Sequence, residues 1–344
     1  MKLGARKIKV LEAIVNSYII TGEPVSSKSL CDDLRVSSST VRSDMAELTH
    51  LGLLEQPHAS SGRVPSHSGY RFYINQLMSQ GTYGLSLKNK EELARPIFSC
   101  KVNDPENFLK DVIDIIAEIT KCVAVSAIPT KNSSVIQAIK LVFVEDRVIM
   151  VILVTSLGIV KNKLILCERC LDQETLAIIQ RILQDKLKGL EISKVNIILS
   201  EILNEDFTEI SPVFSKFLEV IIDLTDEVVD AGINLTGESN LFFYPDFNLD
   251  SISGLINFFN SPNEALSFLE RNQDDDINVL VGEENELCEF DRFSVIISKY
   301  NFLKQNDGII AIVGPTRMDY AKIIPTIRYL SSLTSKFLDE NFGF

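Results

Sequence analysis

The sequence predicts an α+β chain, with a small helical N-terminal module followed by a sheet domain that a mainly helical block interrupts. Three observations predict it. Residues 1–78 read as short amphipathic helices joined by tight turns and followed by a hairpin. Strand-like apolar runs occupy 122–166 and return at 277–313. Between them, 173–271 is dominated by helical periodicity. With 344 residues, of which 45% are hydrophobic, the chain can form two or three domains, each with its own core.

In the module, Ile8, Leu11, Val15, Tyr18 and Ile19 make a helical stripe over Gly4–Thr21, which Thr21-Gly22-Glu23-Pro24 ends. Ser26 is placed to cap a second helix, Ser27–Leu34, with Val25 as the apolar residue before the cap. The stretch Val36–Leu54 is the centre of the module. Ser37 stands three residues before Thr40, and Val41, Met45, Leu48 and Leu51 fall on one helical face. Ser38, Ser39, Arg42 and Ser43 lie opposite, in the first two turns, where a helix N-terminus favours anions. Gly52 suits a left-handed cap, after which Leu53-Leu54 resumes as a strand. Residues 55–65 read as a hairpin, with Gly62 near its tip and Arg63 within reach of a minor groove or a phosphate.

These elements make a winged helix-turn-helix whose third helix meets DNA. The candidate DNA-contacting residues are Ser38, Ser39, Thr40, Arg42 and Ser43 on that helix and Arg63 on the wing. Gly69–Met78 forms a helix leading out of the domain. Within it Tyr70-Arg71-Phe72-Tyr73 has the composition of a stacking platform, but its helical spacing favours core packing.

Residues 79–91, rich in Gly, Ser and Thr at their start, form the linker. A helix over 103–120 is followed by strands at Cys122–Ile128, Ile136–Val144, Val148–Val154 and Ile159–Leu166, punctuated as an antiparallel meander. Helices are predicted at Gln173–Leu187, Val213–Val229 and Ile252–Arg271, with a strand at Lys194–Leu199. Strands return at Ile277–Val281, Phe293–Lys299 and Ile309–Val313, before a last helix from about Met318 to Leu338.

Charge is distributed unevenly. The formal net charge is -13, yet residues 1–75 carry 9 Lys/Arg against 7 Asp/Glu, a net +2 that leaves -15 for the rest. Any DNA contact must therefore come from the module, with the acidic body held away from the duplex. No stretch is long and apolar enough to span a membrane, and the N-terminus lacks an apolar signal core, so a cytoplasmic protein is expected. Of six cysteines only Cys167 and Cys170 have ligand-like spacing, and no histidine follows His67; reduced thiols are expected, with no metal and no cofactor.

The chain resembles the HrcA heat-inducible transcription repressors. The residues that carry the resemblance are Pro24-Val25-Ser26-Ser27, Ser39-Thr40-Val41-Arg42, Met45-Ala46 with Leu48, Gly52-Leu53-Leu54, Pro57-His58, Gly62-Arg63-Val64-Pro65 and Gly69-Tyr70-Arg71. Near the C-terminus come Gly282, Glu284 and Asn285, then Gly314-Pro315-Thr316-Arg317-Met318-Asp319-Tyr320. Ser43 and Ser61 depart from the family pattern, which carries Asn and Ala there. The resemblance implies a DNA-binding domain over 1–78 and a GAF-like domain in two parts, 92–172 and 276–344, around an inserted α/β dimerisation domain at 173–275. It implies a homodimer on an inverted-repeat operator of double-stranded DNA upstream of chaperone operons, and a GroEL-type chaperonin as partner.

Catalysis has little to stand on. Gly314-Pro315-Thr316-Arg317 follows a strand and opens a helix, as a phosphate cradle would, but it lacks the glycine run and Lys-Ser/Thr pair of a P-loop. A turn with Thr316 as helix cap and Arg317 paired to a carboxylate is the simpler expectation. Gly282-Glu283-Glu284-Asn285 has an acidic pair that suits a cation, although a solvated loop accounts for it as well. The rival readings are an enzyme fused to a winged helix, for which no nucleophile and base are evident, and a regulator with a small-molecule pocket in its body.

Overall fold

The computed structural model describes residues 3–58, 61–80, 85–100, 105–128, 134–168, 170–203, 211–230, 233–273, 276–287, 290–302 and 306–342. Ala59-Ser60 of the expected wing, residues 81–84 of the linker, the start of the helix expected from 103, Asp274-Asp275 and Cys288 lie outside them.

Helix α1 (Ala5–Thr21) ends where Gly22 takes a φ of 68° and donates its N–H to the Tyr18 carbonyl. Helix α2 is shorter than predicted, Cys31–Leu34 alone, with a turn before it. Ser26 caps that turn, its Oγ accepting the Ser29 N–H and its carbonyl accepting the Ser29 hydroxyl. Helix α3 (Ser38–His50) starts where Ser37 Oγ accepts the Thr40 N–H at 3.2 Å. Strands β1 (Leu54–Glu55) and β2 (Val64–Pro65) pair antiparallel, and a bridge between Val25 and Arg63 adds a third edge. Helix α4 (His67–Gln80) leads towards the body, and Leu11, Ile14, Val41, Leu48, Leu54 and Ile74 form the module's dry centre.

Helix α5 (Leu87–Phe98) begins inside the expected linker, where Ser86 caps it. After α6 (Pro105–Thr120) comes β3 (Val123–Ala127), all five of whose residues are buried. The chain then leaves for a separate three-stranded antiparallel sheet, β4 (Ile136–Glu145), β5 (Val148–Thr155) and β6 (Val160–Leu166). Helices α7 (Gln173–Leu187), α8 (Val195–Leu203) and α9 (Ser211–Asp230) follow, with α7 and α9 packed on that sheet. The strand expected at Lys194–Leu199 is helical. Val195 and Leu199, both fully buried, stand four residues apart on one helix face.

Strand β7 (Ile233–Thr236) returns to pair with β3. The single helix predicted over Ile252–Arg271 is two, α10 (Leu249–Phe259) and α11 (Pro262–Arg271), because Pro262 supplies no N–H to continue the first and instead starts the second. Strands β8 (Ile277–Val281), β9 (Phe293–Phe302) and β10 (Asn306–Pro315) complete a five-stranded sheet ordered β7-β3-β10-β9-β8, antiparallel throughout. The sheet is covered on one face by α6 and the last helix, α12 (Tyr320–Phe342), and on the other by α10 and α11 with Phe259, Phe268, Phe290 and Phe293.

This pairing corrects the expected split at 172/173 and 275/276. Of the strands before 172 only β3 joins those after 276, while β4, β5 and β6 pair solely with one another. The interruption in the five-stranded sheet therefore runs over 134–230, and 233–273 belongs with that sheet.

Candidate nucleic-acid interface

The face of α3 directed into the module is not purely apolar. Val41, Asp44, Met45 and Leu48 are buried, and Asp44 is gripped by Arg6 of α1 through Nε at 2.7 Å and a terminal nitrogen at 2.9 Å. Beside this pair, Lys7 bridges to Glu47. Two charged contacts thus fix α3 on α1 and spend cations and carboxylates against each other, away from the opposite face.

The six nominated residues divide into three kinds. Ser39, Arg42 and Ser43 are exposed on the first two turns of α3. Ser38 and Thr40 are half-buried and used within the protein: Ser38 Oγ meets Ser27 Oγ at 3.0 Å, and Thr40 Oγ1 meets Ser37 Oγ at 2.9 Å. Arg63 is not at a wing tip. The bend is made by His58 and Ser61, with Ser61 Oγ donating to the His58 carbonyl at 2.7 Å and accepting the His58 N–H at 3.0 Å. Gly62 and Arg63 lie on the returning limb, where Arg63 exchanges two 2.9 Å backbone bonds with Val25 and its Nε donates to Thr49 Oγ1 at 3.0 Å.

Gly62 is required by proximity. A Cβ there would stand 2.3 Å from the Val25 carbonyl oxygen, so the limb approaches α2's entry more closely than a side chain permits. Between that limb and α3 opens a groove of 390 Å³ lined by Ser26, Arg42, Gln56, Ser61 and Arg63. The groove brings two guanidinium groups and several short donors to one polar recess, the set that holds a phosphate while the exposed turn of α3 faces base edges.

The module is seated on the body by residues from the two C-terminal motifs. Arg71 of α4 forms a two-pronged ion pair with Glu284 and also donates to the Val279 carbonyl. Glu284 additionally accepts the Val281 N–H at 2.9 Å, so this carboxylate of the acidic pair is engaged in protein contacts. Arg317 donates its Nε to Asp246 at 2.9 Å and a terminal nitrogen to the Ile19 carbonyl at 3.2 Å, and Asp246 holds its guanidinium further up in pKa than usual. Helix α12 is capped by Asp319, whose Oδ1 accepts the Lys322 N–H, in place of the expected Thr316. A glycine permits the closeness at Gly282 (φ 56°), where a Cβ would overlap His67, whereas Gly22 is required by its φ of 68° and a Cβ there would meet the Arg317 guanidinium at ordinary contact distance.

Tyr70 and Tyr73 are core residues, with the Tyr73 hydroxyl on Asn16 Oδ1 at 2.8 Å and the Tyr70 ring 6.0 Å from that of Tyr320. Burial raises the Tyr70 phenol well above its ordinary pKa, and its hydroxyl has no hydrogen-bond partner among the described residues. Cys167 is buried and Cys170 exposed, and among the described residues no three His, Cys, Asp or Glu side chains are grouped to hold a metal. No helix among the described residues is long and apolar enough to cross a membrane.

In the fold as a whole, a small helix-and-hairpin module rides on a larger α+β body. Residues 106–324 match the family described as HrcA protein C terminal domain. Along its full length the chain is 31% identical to the heat-inducible transcription repressor HrcA of Acetivibrio thermocellus, with 98% of that relative covered. It is 32% identical to the protein of that name from Clostridioides difficile, over 98% of this chain and 100% of the relative. The chain belongs to the HrcA family. A crystal structure described as a hypothetical protein at 2.2 Å shares the fold, with a TM-score of 0.76 over 99% of this chain and 100% of that one, at 24% identity.

Proposed function

We propose that this chain represses heat-inducible genes as a homodimer, each N-terminal module acting as a winged helix on one half of an inverted-repeat operator. The observation that carries the reading is the groove shared by Arg42 and Arg63 beside the exposed Ser39 and Ser43. Arg42 reads a base edge or its adjoining phosphate, and Arg63 holds backbone from the foot of the wing; Ser38 and Thr40 position the helix more than they touch DNA. A module with so little net charge cannot hold a duplex tightly alone, so two must act together.

The three-stranded sheet supports the dimer. Its face away from α7 and α9 is apolar towards both ends: Val142 pairs with Met150 and Met150 with Leu164, Val148 with Leu166, and Val154 with Val160, while Lys140 and Asn162 flank Ile152 between these rows. Val142, Val144, Val160, Leu164 and Leu166 are all exposed in the single chain. Exposed apolar rows of this kind on a one-sided sheet fit an interface, and a second copy meeting them through a twofold axis buries both. On this reading 134–230 is the inserted dimerisation unit and the five-stranded remainder is the GAF-like domain.

The family's chaperonin dependence fits the topology. Strand β3 must wait for β7 and β10 across an intervening unit, which slows closure and leaves an apolar edge unpaired. A GroEL-type chaperonin would shelter that intermediate, and its occupation by heat-damaged proteins would lower the supply of active repressor. Footprinting on the DNA upstream of the chain's own gene tests the core of the proposal. Protection of both arms of a palindrome is expected, with Arg42→Ala costing about 1–3 kcal/mol at one operator position and Arg63→Ala weakening all sequences alike. Binding of a lone half-site by a monomer as tightly as the palindrome would refute it.

A further inference from the structure

Where the C-terminal end of α1 meets the body, a cavity of 250 Å³ opens between the two parts of the protein. Its walls are largely apolar: Ile119 and Cys122 from the α6–β3 junction, Met318 and Ile323 at the start of α12, and Ile19 from the module. Its charged lining residues are Lys121, Lys322, Arg317 and Asp319. Arg317 is committed to Asp246 and the Ile19 carbonyl, and Asp319 is committed to the start of α12. That leaves two exposed ammonium groups, Lys121 and Lys322, with no carboxylate within 4.0 Å among the described residues. Two exposed cations thus stand at the mouth of one apolar cavity in a body that carries fifteen net negative charges.

The backbone makes the same point at Lys121. It takes a left-handed φ of 56° as it closes α6, with its N–H on the Ala117 carbonyl. Glycine or asparagine is the low-cost residue in that position, so a lysine there accepts a conformational penalty to deliver its side chain to the cavity. Both lysines also border a second hollow of 520 Å³ under α5, whose acidic residues do not quench them: Glu92 lies 4.0 Å from Lys88, and Glu118 is beyond ion-pair range of either.

We propose that this junction binds a small organic monoanion, a carboxylic acid bearing an aromatic ring or a short branched chain. The carboxylate sits between Lys121 and Lys322, and the apolar part fills the cavity against Ile19, Ile119 and Met318. The volume lies just below the roughly 300 Å³ at which drug-sized pockets begin, which restricts the ligand to a small one, and the apolar walls leave a bare inorganic anion poorly matched. Because Ile19 belongs to the module and the other contacts to the body, a ligand held here favours the docked arrangement by mass action and thereby bears on how the module is presented. The binding step itself is independent of the DNA-binding proposal.

The test uses the full chain, with benzoate, phenylacetate and isovalerate as probes, benzamide as the uncharged analogue of benzoate, and inorganic phosphate as an anion without an apolar part. Thermal unfolding and equilibrium dialysis are expected to show saturable binding of at least one acid and none of benzamide or phosphate. Lys121→Asn with Lys322→Gln should weaken that binding about tenfold or more, the worth of charged hydrogen bonds. Lys88→Gln should leave it unchanged. Both replaced lysines are exposed, and unfolding without ligand checks that the variant is intact; Lys322→Gln alone serves as the second variant. Failure of all three acids, equal binding of benzamide, binding of phosphate alone, or unchanged affinity in the double variant would each overturn the proposal. If acids bind but operator affinity does not respond, the site stands and only its link to DNA falls.

Discussion

Replacing Gly62 by alanine isolates one physical contact. The glycine's φ is not in the left-handed region, so alanine is free to adopt its backbone conformation, and the whole effect must come from the Cβ, which would lie 2.3 Å from the Val25 carbonyl oxygen and 2.5 Å from its carbon. The backbone atoms of Val25 cannot rotate aside. The returning limb must move, and with it go the two 2.9 Å bonds between Val25 and Arg63. At roughly 0.5–1.5 kcal/mol each, their loss removes about 1–3 kcal/mol of local stability. Amide hydrogen exchange reads this directly: protection at Val25 and Arg63 should fall by about 5- to 150-fold, while core amides of the five-stranded sheet keep theirs. Arg63 would move with the limb, so DNA affinity should drop in the same variant. As a control, Gly4→Ala places its Cβ in open space and should change exchange little. Unchanged protection at Val25 and Arg63 in Gly62→Ala would show that the close approach does not govern the hairpin.

Other expectations are as direct. Ser37→Ala removes the cap of α3 and should destabilise the module by about 1 kcal/mol in denaturant unfolding, with lost helicity at its N-terminal turn. Leu164→Lys, on the edge strand β6 of the exposed sheet face, should leave the fold intact and give monomers in sedimentation, whereas Leu153→Ala on the buried face should cost about 2–5 kcal/mol. Burial pushes the Cys122 thiol up to about 12 from an ordinary 9.0, against smaller opposing hydrogen bonds from Tyr244 and Thr120. The folded state therefore keeps a proton that the unfolded chain releases. Stability should be unaffected below pH 9 and then fall by up to about 1.4 kcal/mol per pH unit between 9 and 12. Denaturant unfolding across that range should show a smaller fall in Cys122→Ala; the tyrosines raised by burial, Tyr70, Tyr244, Tyr300 and Tyr320 among them, contribute to the remainder.

Local features were legible and distant pairings were not. Ser37 and the Val41-Met45-Leu48 stripe announce α3, and Gly52, with a φ of 73°, takes the left-handed conformation its position suggests. Asp44 escaped notice because a carboxylate on a helix reads as surface, and its partner Arg6 is 38 residues away. Arg317 was expected to meet a carboxylate, yet nothing local singles out Asp246, 71 residues earlier. The division between sheets was hidden for a related reason. β4, β5 and β6 follow β3 closely and look like its continuation, whereas β9 and β10 are covered on both faces and offer no alternation from which to read a partner. The strand predicted at Lys194–Leu199 failed because a short β-branched run carries no length by which to tell strand from helix.

The order of the five-stranded sheet also sets a clock. β3 is complete at Ala127, and β10, which lies against it, begins at Asn306. At the usual elongation speed of about 5–20 residues per second, the ribosome needs roughly 9–36 s to make the chain that separates them. Throughout that interval Val123-Ala124-Val125-Ser126-Ala127, wholly buried in the finished protein, lacks its central neighbour. The speed of translation thereby becomes part of the protein's folding chemistry, because slowing the ribosome between 128 and 306 lengthens the exposure of the same five residues without altering the native state.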